Sequence, residues 1–267
     1  MGMVGVAMPV SDDVLLVGGG RRVGYRLFGA DVRPNLLYLH GAPGSRAEVG
    51  LYELGLLEER GVCAVAVDRP GYGATDPLDD LDRLARTQDA VAVAGHLGMA
   101  RFVVQGTSAG GQYALACAVL VPRQVQAMIL TAAGGRISAE DDLNGMAEEF
   151  AEGWRQEWRD PEGARAQFEV ELAEMRADPL PWLRQLTSTW PAAERDWLEK
   201  NSQAMAEDLI EATRQGRLAT GSMAKPPASR GCLTSPRSRR RFTSSTVTAT
   251  PWRRCRSSGE PWPRQHM

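Results

Sequence analysis

The sequence predicts a doubly wound α/β fold, a mostly parallel sheet with helices packed on both faces. Short continuous apolar runs recur through residues 14–135, helical stretches separate them, and glycine-rich turns follow three of the runs. A strand buried on both faces reads as an unbroken apolar run, and strands that alternate with helices pair in parallel through right-handed crossovers. The chain has 267 residues, enough for one large α/β domain.

Val14–Val17 and Arg22–Phe28 are expected as an antiparallel pair joined by Gly18, Gly19 and Gly20. The runs Leu36–Leu39, Val62–Val67, Phe102–Gln105 and Ala127–Leu130 supply the doubly covered strands. Helices are expected near 46–60, 83–97 and 109–119. Residues 138–216 differ in kind: they are helical and acidic, and they hold five of the seven tryptophans, at 154, 158, 182, 190 and 197. Trp154 and Trp158 stand four apart and share one helix face. Pro161, Pro179, Pro181 and Pro191 are expected to break the stretch into short helices. A helical insertion after a parallel strand reads as a lid, whose tryptophans either line a pocket or glue the insertion to the sheet. The organisation expected is thus a core at 1–137, a helical cap at 138–216 and a basic low-complexity tail at 217–267 without order.

Composition excludes several classes. Hydrophobic and charged fractions of 43% and 24% are those of an ordinary soluble protein. No apolar run reaches the roughly 18 residues that span a bilayer. The N-terminus carries Asp12 and Asp13 and no basic region, which argues against a secretory signal. Cys63, Cys117, Cys232 and Cys255 show neither metal-ligand spacing nor a disulfide framework, so the expectation is a cytoplasmic chain with no metal. Charge is unevenly divided. Residues 217–267 hold eleven Lys or Arg and one acid, while the remainder is net −12.

The sharpest chemical signal is FVVQGTSAGGQYALACAVL, residues 102–120, in which a buried strand passes through Gly106-Thr107-Ser108-Ala109-Gly110 into a helix. A serine on so tight a turn needs small neighbours, because side chains two residues either side would collide with strand or helix. The helix N-terminus then aims free N–H groups at developing negative charge. These residues make Ser108 the candidate nucleophile. Upstream, LLYLHGAPGSR ends a second strand in His40-Gly41-Ala42-Pro43-Gly44, whose small residues allow a backbone N–H, that of Ala42, to approach an oxyanion. His40 is expected as a structural histidine bonded to nearby backbone. A third loop, VAVDRPGYGATD, carries Asp68 and Arg69 and reads as a turn pinned by polar contacts.

The order HGAPG, DRPGYG, GTSAGG on three successive strand ends resembles the α/β-hydrolase superfamily. The likeness covers residues 14–135 closely and 138–216 loosely. It implies an eight-stranded sheet, a cap after the sixth strand and a triad in the order Ser, acid, His. On that pattern Ser108 is the nucleophile, Ala42 and Ala109 supply the oxyanion N–H groups, and His40, Gly41, Gly106 and Gly110 shape the site. No cofactor is implied, and the partner is a small-molecule substrate rather than nucleic acid or membrane. Serine at the elbow disfavours the epoxide hydrolase and haloalkane dehalogenase branches. Esters, thioesters, lactones, activated amides and peptides remain open, and HGAPG is also similar to the corresponding loop of proline iminopeptidases.

The resemblance stops after residue 216. Beyond Ser108 the sequence has one histidine, His266, and no strand followed by an acid-bearing loop. Glu140, Asp141 and Asp142 follow the sixth strand and are the available acids, and His96 precedes the elbow. Reading residues 230–254 back into permissible GC-rich codons and shifting the frame by one base yields PWVFDLAEIAAPVHLFHGDRDAMAPL, in which VHLFHG resembles the missing seventh strand. The hypothesis is a frameshift near residues 216–220, which also accounts for the abrupt basic composition. A rival reading makes the tail an arm for nucleic acid or acidic membrane, and a further alternative is a non-catalytic acyl-ligand-binding pseudo-enzyme. The coding DNA separates the first two readings. A frameshift predicts a neighbouring frame open from about codon 217 through codon 254, and stop codons there would end it.

Overall fold

A computed structural model describes residues 10–29, 34–52, 54–78, 82–134, 137, 139–146 and 148–216. The basic tail, with Cys232, Cys255 and His266, lies outside the described residues, as does the extreme N-terminus.

Six strands form one sheet: β1 (Val10–Val17), β2 (Arg21–Phe28), β3 (Leu36–Leu39), β4 (Ala64–Val67), β5 (Phe102–Thr107) and β6 (Val125–Thr131). Their order is β1-β2-β4-β3-β5-β6. The pairs β1–β2 and β2–β4 are antiparallel, whereas β3–β4, β3–β5 and β5–β6 are parallel. The expected doubly wound class is therefore observed, with six strands among the described residues.

Why the apolar runs are unbroken follows from the side-chain alternation. Leu37, Leu39, Val65, Val67, Phe102 and Val104 point to one face, where they pack with α3 (Arg83–His96) and α4 (Gly110–Leu120). Their neighbours Leu36, Tyr38, Ala64, Ala66 and Val103 point to the other, against α1 (Glu48–Tyr52) and α2 (Leu54–Arg60). Both faces are dry, so both registers must be apolar. Burying each of the larger side chains contributes about 1.5–3 kcal/mol.

One expectation fails here. The run containing Ala127–Leu130 was expected to be covered on both faces, yet β6 is mostly exposed, with Ile129 and Leu130 each 44% accessible. The cause is position: β6 is the edge of the sheet, and no described strand pairs with its outer side. Apolar content tells that a strand wants cover, not that cover is present.

Four helices follow: α5 (Glu148–Arg159), α6 (Pro161–Ala177), α7 (Pro179–Leu186) and α8 (Ala192–Ala212). Asp160 and Asp178 cap α6 and α7 by accepting the N–H groups of Gly163 and Leu180, with a proline next in sequence whose missing N–H costs nothing there. The expected breaks are observed at Pro161, Pro179 and Pro191, while Pro181 lies within the first turn of α7, and α6 and α8 run to 17 and 21 residues, longer than expected. The core of this layer is aliphatic (Leu172, Met175, Leu183, Leu198, Leu209), joined by Tyr72 from the sheet side. Of the five tryptophans, Trp182 packs against it from the side, and Trp154, Trp158 and Trp190 are half-buried.

Helix α8 is fastened to the strand-end loops by charge. Arg46 donates its N–H and Nη1 to Asp68 at 2.6 and 2.7 Å, Nε to Asp12 at 2.9 Å and Nη1 also to Glu211 of α8 at 2.6 Å. Asp68 is fully buried and also receives the Ala74 N–H at 2.8 Å. The Gln215 amide adds bonds to the Gly73 and Thr75 carbonyls at 2.9 and 2.6 Å. Removing the guanidinium strands a buried carboxylate, so Arg46→Ala is expected to destabilise the chain by about 3–5 kcal/mol, read as a lowered urea midpoint.

Candidate active site

Three loops meet at the C-terminal ends of β3, β4 and β5. In open α/β sheets this edge is where ligands bind. The turn from β5 into α4 holds Ser108 at a φ of +50°, a conformation that L-residues adopt at a cost and usually for a purpose. Its N–H donates to the Thr131 carbonyl at 2.9 Å, which ties the turn to β6, and its side chain is exposed.

The glycines explain how the turn closes. A Cβ on Gly106 would lie 2.4 Å from the Gly110 carbonyl oxygen, and one on Gly110 would lie 2.0 Å from that of Leu39. Strand, helix start and the end of β3 therefore touch backbone to backbone, and only glycine permits it. A Cβ on Gly41 would stand 3.5 Å from the Ser108 Cβ, so the HGAPG loop lies directly beside the serine. Ala42 is exposed at that loop, and the Ala42–Pro43 peptide is cis. Neither the Ala42 nor the Ala109 N–H has an acceptor among the described residues.

The two peptides of Gly41 are held from opposite sides. Its N–H donates to Glu48 Oε2 at 2.8 Å. Its carbonyl accepts from Arg69 Nη2 at 2.7 Å and lies 2.8 Å from His40 Nδ1. His40 Nε2 accepts the Arg69 N–H at 3.0 Å, so the proton resides on Nδ1. The ring is 1% exposed, and burial, with Arg69 nearby, holds it well below the usual histidine range and neutral. Both nitrogens are committed to backbone, which leaves none for proton transfer at Ser108. His96 is exposed in the last turn of α3, six residues before β5 begins, and so sits at the opposite end of that strand from Ser108.

Two of the three acids after β6 are also engaged elsewhere. Glu140 accepts from Arg155 Nη2 at 2.7 Å, and Asp142 turns back to the Ala139 N–H at 3.0 Å. Two buried carboxyls that the sequence reading passed over stand much closer. Glu48 also accepts the Tyr38 hydroxyl at 2.7 Å, and that hydroxyl lies 2.9 Å from Thr107 Oγ1, one residue before the serine. Asp208, on α8, accepts the Ser45 hydroxyl at 2.5 Å and its N–H at 3.2 Å. Burial pushes Glu48 up to about 7 and Asp208 up to about 8. An acid beside Val49 on a five-residue helix gives no sequence sign of its burial. The only hint for Asp208 is its place between apolar helix positions. Among the described residues no group of three or more His, Cys, Asp or Glu is disposed to hold a metal ion, and no helix is long and apolar enough to cross a membrane.

With that geometry in view, the comparisons with known proteins place the chain. A profile of the alpha/beta hydrolase family matches residues 36–259, most of the length, and the chain belongs to that family. Among solved structures it is similar to a hydrolase from Pseudomonas aeruginosa PA01, with a TM-score of 0.51, 19% identity, and coverage of 79% of this chain and 71% of that one. It is also similar to the haloalkane dehalogenase DbeA from Bradyrhizobium elkani USDA94, with a TM-score of 0.52, 19% identity, and coverage of 76% and 68%. A thioesterase domain from the curacin biosynthetic pathway matches with a TM-score of 0.43 and 22% identity. That match takes in 51% of each chain, so this chain spans about half the length of the thioesterase domain. At their identities the first two structures speak to the fold alone.

The buried acids set the response to pH. The folded chain keeps the Asp208 proton to about 8 and the Glu48 proton to about 7, where the ordinary values are 3.8 and 4.5. Their contribution to stability is complete below the ordinary values and is lost as pH rises through the folded ones. The melting temperature is therefore expected to fall between about pH 4 and pH 8. Asp208→Asn, which keeps an acceptor for Ser45 but cannot ionise, should flatten part of that slope in calorimetry.

Proposed function

We propose that the chain is a serine-hydrolase scaffold in which Ser108 attacks the carbonyl of a small-molecule ester, thioester or amide. One observation carries the reading: an exposed serine at φ +50° on a strand-to-helix turn, beside a second loop that presents a free N–H. Attack would convert the substrate carbonyl oxygen to an oxyanion. The Ala42 and Ala109 N–H groups are the donors for it, with the start of α4 adding its positive end. Helices α5–α8 are the cap over that edge of the sheet, and they give the substrate pocket its far wall. In the complete reaction a histidine accepts the serine proton and returns it to the leaving group, while an acid orients that histidine.

Such a histidine is not found beside Ser108 among the described residues, since His40 is sealed against backbone and His96 is remote. The same observation favours a second reading, an acyl-ligand-binding pseudo-enzyme. If the chain acts without its base, turnover should fall by about 10⁶, with about 10³–10⁴ over water remaining from the oxyanion donors and binding.

A fluorophosphonate probe followed by an ester-hydrolysis assay separates the readings. The hydrolase scaffold predicts covalent labelling that Ser108→Ala abolishes, with slow turnover. A chain that binds acyl ligands yet never labels at Ser108 is the pseudo-enzyme.

A further inference from the structure

We propose that Glu48 and Arg69 are positioning residues that clamp the Gly41 backbone from its two sides and thereby aim the Ala42 N–H at the site of the oxyanion. The inference rests on the serine-hydrolase reading above.

Peptide planarity supplies the first step. A trans peptide holds its C=O and N–H on opposite sides of one plane. The Gly41 carbonyl and the Ala42 N–H belong to the same peptide. Fixing the carbonyl with Arg69 Nη2 at 2.7 Å and His40 Nδ1 at 2.8 Å therefore fixes the direction in which Ala42 N–H points. The preceding peptide is fixed independently, because the Gly41 N–H is bound to Glu48 at 2.8 Å. With both planes held, the loop cannot rotate its donor away.

The second step is burial. Arg69 is 3% exposed and Glu48 is 6% exposed, and Arg69 has no salt bridge among the described residues. Its guanidinium instead lies 4.5 Å over the Tyr72 ring and 5.0 Å over that of Tyr113. A buried cation without a paired carboxylate is costly unless ring faces and carbonyls replace its water. Glu48 is correspondingly a buried acid with two donors and, among the described residues, no cation in contact. These two expensive groups converge on one glycine, whose missing Cβ leaves the Glu48 carboxyl and the Ser108 Cβ within 3.5 Å of the same point. Through Tyr38 and Thr107 the same carboxyl also braces the residue before the serine. The groups facing Glu48 are Tyr38 from β3, Arg69 from the loop after β4 and Asp208 from α8, with His40 neutral beside them. Glu48, at about 7, and Asp208, at about 8, are the acids here whose charge changes near neutrality, and of the two it is Glu48 that accepts the Gly41 N–H.

Selective labelling isolates the clamp. His40–Gly41 is the one His-Gly step in the sequence, so the full chain made with ¹³C-carbonyl histidine and ¹⁵N-glycine gives a single filtered amide resonance, that of Gly41. Its proton is expected to move downfield as Glu48 ionises, with a midpoint near 7, and to stay still in Glu48→Gln. Tyr38→Phe, which removes a donor to the carboxylate and leaves the fold's core carbon atoms in place, should move the midpoint upward. The fluorophosphonate labelling rate at Ser108 is expected to drop about tenfold or more in Glu48→Leu or Arg69→Met, where the donor is free to turn. A Gly41 resonance that ignores Glu48, or labelling unchanged in those variants, overturns the clamp. A native chain that labels no faster than Ser108→Ala sinks the hydrolase reading instead, and the Gly41 resonance then decides the clamp alone.

Discussion

The closest constraint in the molecule is the space that is missing where α4 begins. Gly110 presses on the carbonyls of Leu39 and His40 at separations that no side chain could share. That approach decides how near the end of β3 lies to the turn after β5, and so how near Ala42 lies to Ser108. It also demands that β5 end abruptly, which pushes Ser108 into a left-handed backbone conformation at φ +50°. Strain of this kind persists only where surrounding structure over-determines it. Here the restraints are the buried β5 beneath, the tie from Ser108 N–H to Thr131, and the helix above.

Around this apolar and steric frame the loops are organised by ionisable groups that have little water. Asp68 holds Arg46, and Arg46 reaches across to Glu211 on α8. Asp208 holds Ser45, and Glu48 holds Gly41. The helical layer and the loop His40–Gly44 therefore share one polar seam, and the seam runs directly past the serine. A buried charge that loses its partner is far more destabilising than a surface pair that breaks. Displacement of α8 would expose or unpair several such groups at once, so the seam links the position of the helical layer to the shape of the loop.

Much of this was legible in the sequence, for physical reasons that differ by element. Leu36–Leu39, Ala64–Val67 and Phe102–Thr107 are strands covered on both sides, and such strands leave unbroken apolar runs with little ambiguity. The tight turn at Ser108 is legible because its steric demand can be met only by small residues at fixed offsets. What stayed hidden depends on tertiary context. Val125–Thr131 has the same apolar character as its neighbours, but its exposure follows from the absence of a described neighbour on one side. Glu48 and Asp208 look like any surface acids on helices, because burial of a carboxyl depends on donors that come from residues distant in sequence, such as Tyr38 and Ser45. Prolines at 161 and 179 do separate successive helices, as their sequence positions imply, but the length of each helix depends on the packing beyond its first turn, and α6 reaches 17 residues.

The order in which the fold assembles its chemistry has a consequence for the reaction. The strained serine, the proposed oxyanion donors and the clamp on Gly41 all come from residues 38–111, within the sheet and its immediate loops. A base and its orienting acid contribute nothing to that scaffold, because the turn is held by glycine contacts and backbone bonds. On the proposed reading, the half of the site that stabilises negative charge is therefore independent of the half that moves protons. Electrostatic preorganisation of this kind needs no reorganisation at the moment of reaction and retains its value when the base is absent. An elbow with donors but no base stabilises the charge that develops on both steps, but the serine proton on attack and the water proton on release must both pass to solvent, so both steps are slowed. An oxyanion hole lowers the cost of the tetrahedral intermediate but removes no proton from either nucleophile.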